Sequence, residues 1–415
     1  MIERPLSCLA TSALLVALAG IGAAQEAPAE DELEALRRAA EAEAAAESPG
    51  VDQAAETTFK SGGLGLQTLN PEISVTGDFV GTYTDAKGVD EDWDFNFRGL
   101  GLHFEAYLDP YSRFKAAVPV NENEAKIGEA YFTRYGVLPG VNMTLGKFRQ
   151  QFGVVNRWHK HALDYVDFPL PLREVFGPGG LNQTGLSLDW GGSLGDVSQE
   201  LTLQVADGEN ERAFGANEEN RPSVLAHYKS YWDLTASTYM EFGLTGLLGW
   251  NETWDVLGVD EEDSLATGIY GADLTLLWEP TDRMRYRNVE WRTEFYCVDK
   301  DILAPDGSGR DTLKPWGLYT SLQTKVSRTV DLGVRFDYFQ PDAKSYADDS
   351  LFNYANAEDD AHRWLGSVYL TWSQSPFVRY RIEYNHVDGS DMGEEEHHVM
   401  LQVIFAAGPH KHERY

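Results

Sequence analysis

The sequence predicts an all-β protein: a transmembrane antiparallel β-barrel of about sixteen strands, fourteen to eighteen, with a short N-terminal helix. Three observations carry this expectation. Past residue 24 no stretch approaches the ~20 consecutive apolar residues of a spanning helix, so insertion has to be by strands. Apolar and polar residues alternate strictly in segments long enough to cross a bilayer when tilted. Short turns alternate with long acidic connections along the chain.

The chain opens like a secretory leader. Arg4 precedes an apolar run from Leu9 to Ile21, and small residues lead to Ala24, where cleavage is expected. Of the two cysteines, Cys8 falls in this leader, which leaves Cys297 alone and predicts no internal disulfide in the exported protein. Residues 25–68 follow as a periplasmic helix and linker. Ala29 to Glu47 are strong helix formers with Glu34 facing Arg38 four residues on, and the large apolar positions Leu33 and Leu36 are too few to settle between a solvated spacer and an intersubunit coil. The barrel is expected over residues 69–415.

Its first strand begins at Glu72, with Ile73, Val75, Gly77, Phe79 and Tyr83 on one face and Ser74, Thr76, Asp78 and Thr82 on the other. The same pattern predicts strands near 95–108, 113–119, 128–135, 141–148, 183–190, 197–206, 221–232, 234–250, 265–278, 284–299, 314–327, 330–340, 361–373, 377–388 and 396–406. Asn251 to Asp263, Lys300 to Leu313 and Pro341 to Asp360 read as long acidic loops. Tyr83, Tyr107, Tyr135, Trp190, Tyr228, Trp232, Trp250, Trp278, Trp316 and Trp372 fall near strand ends, where amphipathic rings favour the headgroup level. A secreted β-sandwich is the competing architecture, but its strands average only about 5–6 residues. Tyr415 ends the chain in an aromatic residue that suits an assembly signal.

If the apolar face meets lipid, the polar face lines a pore. It carries Asp78, Glu105, Glu129, Asp189, Glu241, Asp273, Glu290, Glu294, Asp331, Asp337 and Glu383 against Lys115, Arg292, Lys325, Arg335, Arg379 and Arg381. Acids outnumber bases, and a negative lumen concentrates cations. The longest unpatterned interval, about Arg149 to Asn182, holds Arg149, Arg157, His159, Lys160, His161, Asp164 and Asp167, and its length marks it as functional. Folded into the lumen, it would form a constriction with Glu105, Glu129, Glu241, Glu290, Arg292, Glu294, Arg335, Arg379 and Arg381 of the wall. His159 and His161, with Asp164, are candidate ligands for zinc or another divalent ion, although an H-x-H pair alone is a weak signal. No catalytic motif is present and no cofactor is expected. The formal net charge of −32 excludes a nucleic-acid partner.

Five segments add a family resemblance: LNPEISVTGDFVGTYTD (Leu69 to Asp85), EAYFTRY (Glu129 to Tyr135), LGKFRQQFGVVNRWHKH (Leu145 to His161), DYVDFPL (Asp164 to Leu170) and GLNQTGLSLDW (Gly180 to Trp190). Together they resemble a porin-like group akin to the phosphate-selective porins, often labelled zinc-regulated TonB-dependent outer-membrane receptors. The resemblance implies a bacterial outer-membrane barrel and allows zinc or another scarce nutrient as cargo. An energy-coupled receptor carries an N-terminal plug of ~100 residues, longer than the interval from Gln25 to Glu72 can supply. The expected activity is therefore passive diffusion of small hydrophilic solutes or ions with weak cation selectivity, the alternative being an outer-membrane receptor for zinc or another divalent metal. Expected partners are outer-membrane lipid, the solutes themselves, and two further copies in a homo-trimer.

Overall fold

The computed structural model describes residues 71–408 apart from 87–91, 196, 216–220, 257–258, 285, 304–309, 343–360 and 391–394, with backbone alone at 194, 251–264 and 303. The leader, the N-terminal helix and linker, and the tail with Tyr415 lie outside the described residues.

Seventeen strands follow one another: β1 (Glu72–Ala86), β2 (Asp92–Asp109), β3 (Ser112–Val120), β4 (Glu129–Leu138), β5 (Val141–Arg149), β6 (Asn182–Leu194), β7 (Val197–Ala206), β8 (Ser223–Thr235), β9 (Thr238–Val256), β10 (Val259–Trp278), β11 (Val289–Leu303), β12 (Arg310–Leu313), β13 (Trp316–Lys325), β14 (Val330–Gln340), β15 (Arg363–Ser375), β16 (Val378–Gly389) and β17 (Glu396–Ala407). Each pairs antiparallel with its chain neighbour, and β17 returns to β1 in a ladder from Val75 opposite Ala407 to Ala86 opposite Glu396. That last ladder closes the sheet, leaving no edge of unpaired backbone groups for hydrocarbon to desolvate. β12 and β13 run in line against β11, interrupted at Lys314 and Pro315, so the described residues make a sixteen-stranded wall. Pro315 brings no N–H to the ladder, but its carbonyl still accepts from Val298 N at 3.0 Å.

The wall is apolar outside and polar inside, the reverse of a soluble protein. On β16, Ile382 is 52% exposed while its neighbours Arg381 and Glu383 are each 1% exposed. The same inversion puts Val368, Leu370 and Trp372 outward on β15 and Val399, Leu401 and Phe405 outward on β17. A continuous exposed belt of this kind exceeds the patches that soluble monomers tolerate and is the surface that a bilayer covers. Tyr107, Tyr135, Trp190, Trp232, Trp278 and Trp372 sit toward the short-turn rim, and Tyr83, Trp250 and Trp316 toward the long-loop rim. Tyr228 instead lies in the middle of β8.

Three local expectations are corrected. Residues 284 and 286–288 belong to the turn between β10 and β11, where Tyr286 N and Arg287 N bond back to Arg283 O. Residues 234–237 close the β8–β9 hairpin rather than opening a strand. Residues 251–256 and 259–263, expected as a loop, continue the β9–β10 ladder, because backbone pairing extends an existing hairpin whatever the side-chain polarity.

Candidate functional site

The segment between β5 and β6, residues 150–181, folds into the barrel. Its sequence dictates this, because Phe152, Val155, Trp158, Leu163, Tyr165, Phe168, Leu170, Leu172, Val175, Phe176 and Leu181 would strand a large apolar surface in water if it projected outward. Inside, they meet inward-facing Leu225, Leu247, Ile269, Tyr296, Val298, Tyr319, Phe339 and Tyr369 of β8 to β15, which makes a hydrophobic core within the lumen. Pro171 starts a short helix, α1 (Leu170–Phe176), where its missing N–H costs nothing. A second, α2 (Glu211–Phe214), caps the core from the β7–β8 connection, held by Arg212 to Glu174 at 2.6 Å. The wall is thinned where this core presses on it. A Cβ on Gly271 would stand 2.7 Å from the Phe152 ring.

Little of the inserted backbone lies in regular structure, so its buried N–H and C=O groups need other partners, and the wall's charged side chains supply them. Glu294 accepts from Val154 N at 3.2 Å and Val155 N at 3.0 Å, and also from the hydroxyls of Tyr296 at 2.7 Å and Tyr319 at 2.8 Å. Glu383 accepts from Val166 N at 2.7 Å and Asp337 from Leu170 N at 2.8 Å. In the other direction, Arg381 donates to Leu163 O at 2.6 Å, Arg335 to Asp167 O at 3.0 Å and Arg98 to Val166 O at 2.9 Å. Asn156 closes the base of the segment, donating to Gln150 O and Leu181 O, each at 2.9 Å, and accepting from Leu181 N at 2.8 Å.

The core fills the β8 to β15 side and leaves space against β1 to β7. A cavity of about 440 Å³ opens there between Glu105, Arg113, Lys115, Tyr131, Tyr135, Asp189 and Glu200 on the wall and Gln151 and Arg157 on the inserted segment. A second, of about 220 Å³, lies toward the long-loop end among Asp78, Arg98, His103, Pro119, Lys160 and His161. Both are lined by Glu129, Arg149 and His159. Glu129 stands 2.8 Å from His159 Nε2 and accepts from Arg149 N at 3.1 Å. The Arg149 guanidinium donates to Gly179 O at 2.9 Å and lies over the Phe168 ring. These three residues form a neck between the cavities.

The candidate residues thus divide. Glu105, Glu129, Arg149, Arg157, His159, Lys160 and His161 line the cavities. Asp164 beside Arg292 at 3.6 Å, Glu294, Arg335 on Asp337 at 2.9 Å, and Arg381 are buried at the junction of segment and wall, and half-buried Glu290 pairs with Arg292 from the wall. Glu241 pairs with Lys229 at 3.6 Å on the wall, and Arg379 is half-buried near the short-turn end of β16. The rings of His159 and His161 stack at 5.4 Å, with His103 edge-on to both at 5.3 and 5.4 Å, while Asp164 is drawn away to Arg292. His103 and Arg98 escape sequence reasoning, because β2 reaches the segment through the fold and no local spacing records it.

Asp167 belongs to the inserted segment, outside the spanning strands, and bonds Arg98 at 3.1 Å. Burial, the largest influence, pushes its carboxyl upward, but Arg98, Lys160, Arg173 and Arg335 together hold it below the ordinary value of 3.8. A carboxyl depressed in the docked segment binds fewer protons there than when released. Docking is therefore favoured above that ordinary value, and the contribution disappears as pH falls through the depressed one. Single-channel records are expected to be alike from pH 7 to pH 5 and to grow noisier below about pH 4, with Asp167→Asn noisy already at pH 7. A quiet record at pH 3 would count against this clamp.

Comparison with known proteins agrees with this geometry. No family model matches the chain. An uncharacterized protein of Aquifex aeolicus is 28% identical over 264 residues, 60% of this chain and 55% of that protein, so the chain spans about half the length of the curated relative it matches. Among solved structures, the outer-membrane channel DcaP of Acinetobacter baumannii superposes with a TM-score of 0.54 at 12% identity, covering 82% of this chain and 99% of that one. OmpT, an outer membrane protein of Vibrio cholerae, does so in a trimer form at 0.50 and 10% identity, over 81% of this chain and 100% of the other. The chain has the fold of bacterial outer-membrane channel barrels, and its apolar belt suits that membrane.

Proposed function

We propose that the protein is a passive outer-membrane channel for small hydrophilic solutes or ions, with a weak preference for cations. The observation that supports this best is the pair of polar cavities meeting at the Glu129–Arg149–His159 neck, read as two halves of one eccentric passage beside the inserted core. Around the larger cavity Glu105, Glu129, Asp189 and Glu200 face Arg113, Lys115, Arg149 and Arg157, a near-neutral lining that discriminates little by itself. The cation bias comes from the net charge of −32, whose field raises cation concentration at the mouths. A homo-trimer, by analogy with the trimer form of the Vibrio cholerae protein, and export by cleavage near Ala24 belong to the same proposal.

Proteoliposomes are expected to swell in small sugars without an energy source, and a salt gradient across a planar bilayer to give a small cation-side reversal potential. Sealed liposomes would remove the channel, and an anion-side potential the cation preference. A receptor for zinc or another divalent metal, akin to the group the sequence resembles, is supported by one observation, the three imidazoles of His103, His159 and His161 beside the neck. For that reading zinc should bind in calorimetry and cease to bind when His159 and His161 become alanine.

A further inference from the structure

At the long-loop end of β16 and β17, His386 and His397 stand directly opposite in the antiparallel ladder. Both continue the outward rows that carry Ile382 and Tyr384 on β16 and Val399 and Leu401 on β17. They thus project from the outer face of the barrel, just above the apolar belt, where water and headgroups replace hydrocarbon. The rings are 4.9 Å apart and their Nδ1 atoms 3.3 Å apart. Trp364 packs against His386 at 4.9 Å, and the Tyr384 hydroxyl lies 2.8 Å from His397 Nδ1. The Glu395 carboxylate faces the other edge of both rings, 3.9 Å from His386 Nε2 and 4.0 Å from His397 Nε2. One ligand atom from each of the three lies within 4.8 Å of the others.

We propose that His386, His397 and Glu395 form a surface site for a divalent transition-metal ion of the zinc class, with Tyr384 as the positioning residue that orients His397. Two imidazoles and one carboxylate are donors suited to such an ion, and three protein ligands leave a position for water. Bonds of ~2.0–2.1 Å at tetrahedral angles place ligand atoms about 3.3 Å apart, so the carboxylate has to close by less than about 1 Å. Glu395 can do this, since its side chain is 60% exposed at the end of a loop. The histidines cannot drift, because the ladder fixes their strands and the neighbouring aromatic rings fix their faces. A hydrogen bond to the far nitrogen of a ligating histidine is the usual means of setting its tautomer, which is the part Tyr384 plays here. The site stands on the outer face, apart from the lumen and from the proposed channel.

The test is a calorimetric titration of the full-length protein in detergent with zinc chloride, alongside the visible absorption of added cobalt(II). The wild type is expected to bind one ion saturably, with cobalt giving the intense bands of a tetrahedral site. His386→Ala with His397→Ala should weaken binding by more than about 100-fold, and Tyr384→Phe by roughly 10-fold, the loss typical of an orienting hydrogen bond. Glu395→Gln should weaken the cobalt bands while each variant keeps the heat-modifiable mobility of a folded barrel. Absence of binding in the wild type overturns the site. So does unchanged affinity in the double histidine variant, or binding that instead disappears with His159→Ala and His161→Ala.

Discussion

Glu294→Ala is expected to release the inserted segment and turn a quiet narrow channel into a wide and noisy one. Glu294 is 2% exposed and accepts four hydrogen bonds, two from backbone N–H groups of the segment and two from tyrosine hydroxyls of the wall. Alanine leaves all four donors in a water-poor core without that acceptor, at a cost on the order of 3–5 kcal/mol. Gly153 adds to the effect. It has a φ of +58° and lies so close to the carboxylate that a side chain would collide with it, so the turn at 153 is shaped around Glu294. The barrel should survive, since its ladders close through backbone pairs that do not involve this side chain. Limited proteolysis should therefore cut the variant within residues 150–181 while the heat-modifiable band stays intact, and single-channel conductance should rise several-fold. Glu294→Gln keeps an acceptor oxygen and should fall between the two. A Glu294→Ala channel as protected and as quiet as wild type would show that the apolar core alone holds the segment.

The strands were legible because a lipid-facing wall imposes a period of two on the sequence, and every strand from β1 to β17 except the short β12 coincides with an alternating run. β12 has only the four residues Arg310–Leu313, too few for a period to show. The inward path of residues 150–181 was legible too, from the length of an unpatterned interval of mixed charge and aromatic content; the apolar residues that hold it were not used to read it. What periodicity does not distinguish is the duty of an inward charge. Arg381, which clamps Leu163 O, and Arg113, which pairs with Glu105 across open cavity, occupy equivalent registers on their strands. The distinguishing signal lies in the neighbours of the charged positions. Leu247, Ile269, Tyr319 and Phe339 are apolar residues in the polar register of β9, β10, β13 and β14, and they mark the sector where the wall meets protein instead of water. β2 to β7 carry few such residues in the same register, and there the cavities lie. The zinc-class donors at the outer rim were hidden for a related reason, since His386 and His397 are eleven positions apart along the chain but face to face in a ladder.

Arg157→Glu is expected to produce the largest change in ion selectivity of any single charge in the lining. Unlike the clamping arginines, Arg157 is exposed, and it enters the larger cavity from the inserted segment with its guanidinium donating to Gln151 at 2.7 Å. An ion passing about 6 Å away in water feels on the order of 0.7 kcal/mol from one unit charge, roughly a threefold change in its local concentration. Cations gain what anions lose, so reversing this charge should shift the cation-to-anion permeability ratio by at least tenfold at low salt, and less as the Debye length shrinks below the width of the passage. Arg157→Ala should move it about half as far on a logarithmic scale, and both variants should stay folded, because Arg157 is exposed and buried Gln151, though it loses this donor, remains anchored through its Nε2 to Gly153 O at 3.1 Å. Glu105→Gln supplies the opposite control. It removes an acid that Arg113 holds at 3.1 Å on the facing wall, and the exposed arginine should then pull the reversal potential toward anions. If both substitutions leave the reversal potential where it was, ions do not cross the protein beside Glu129 and His159, and the eccentric passage is not the conducting one.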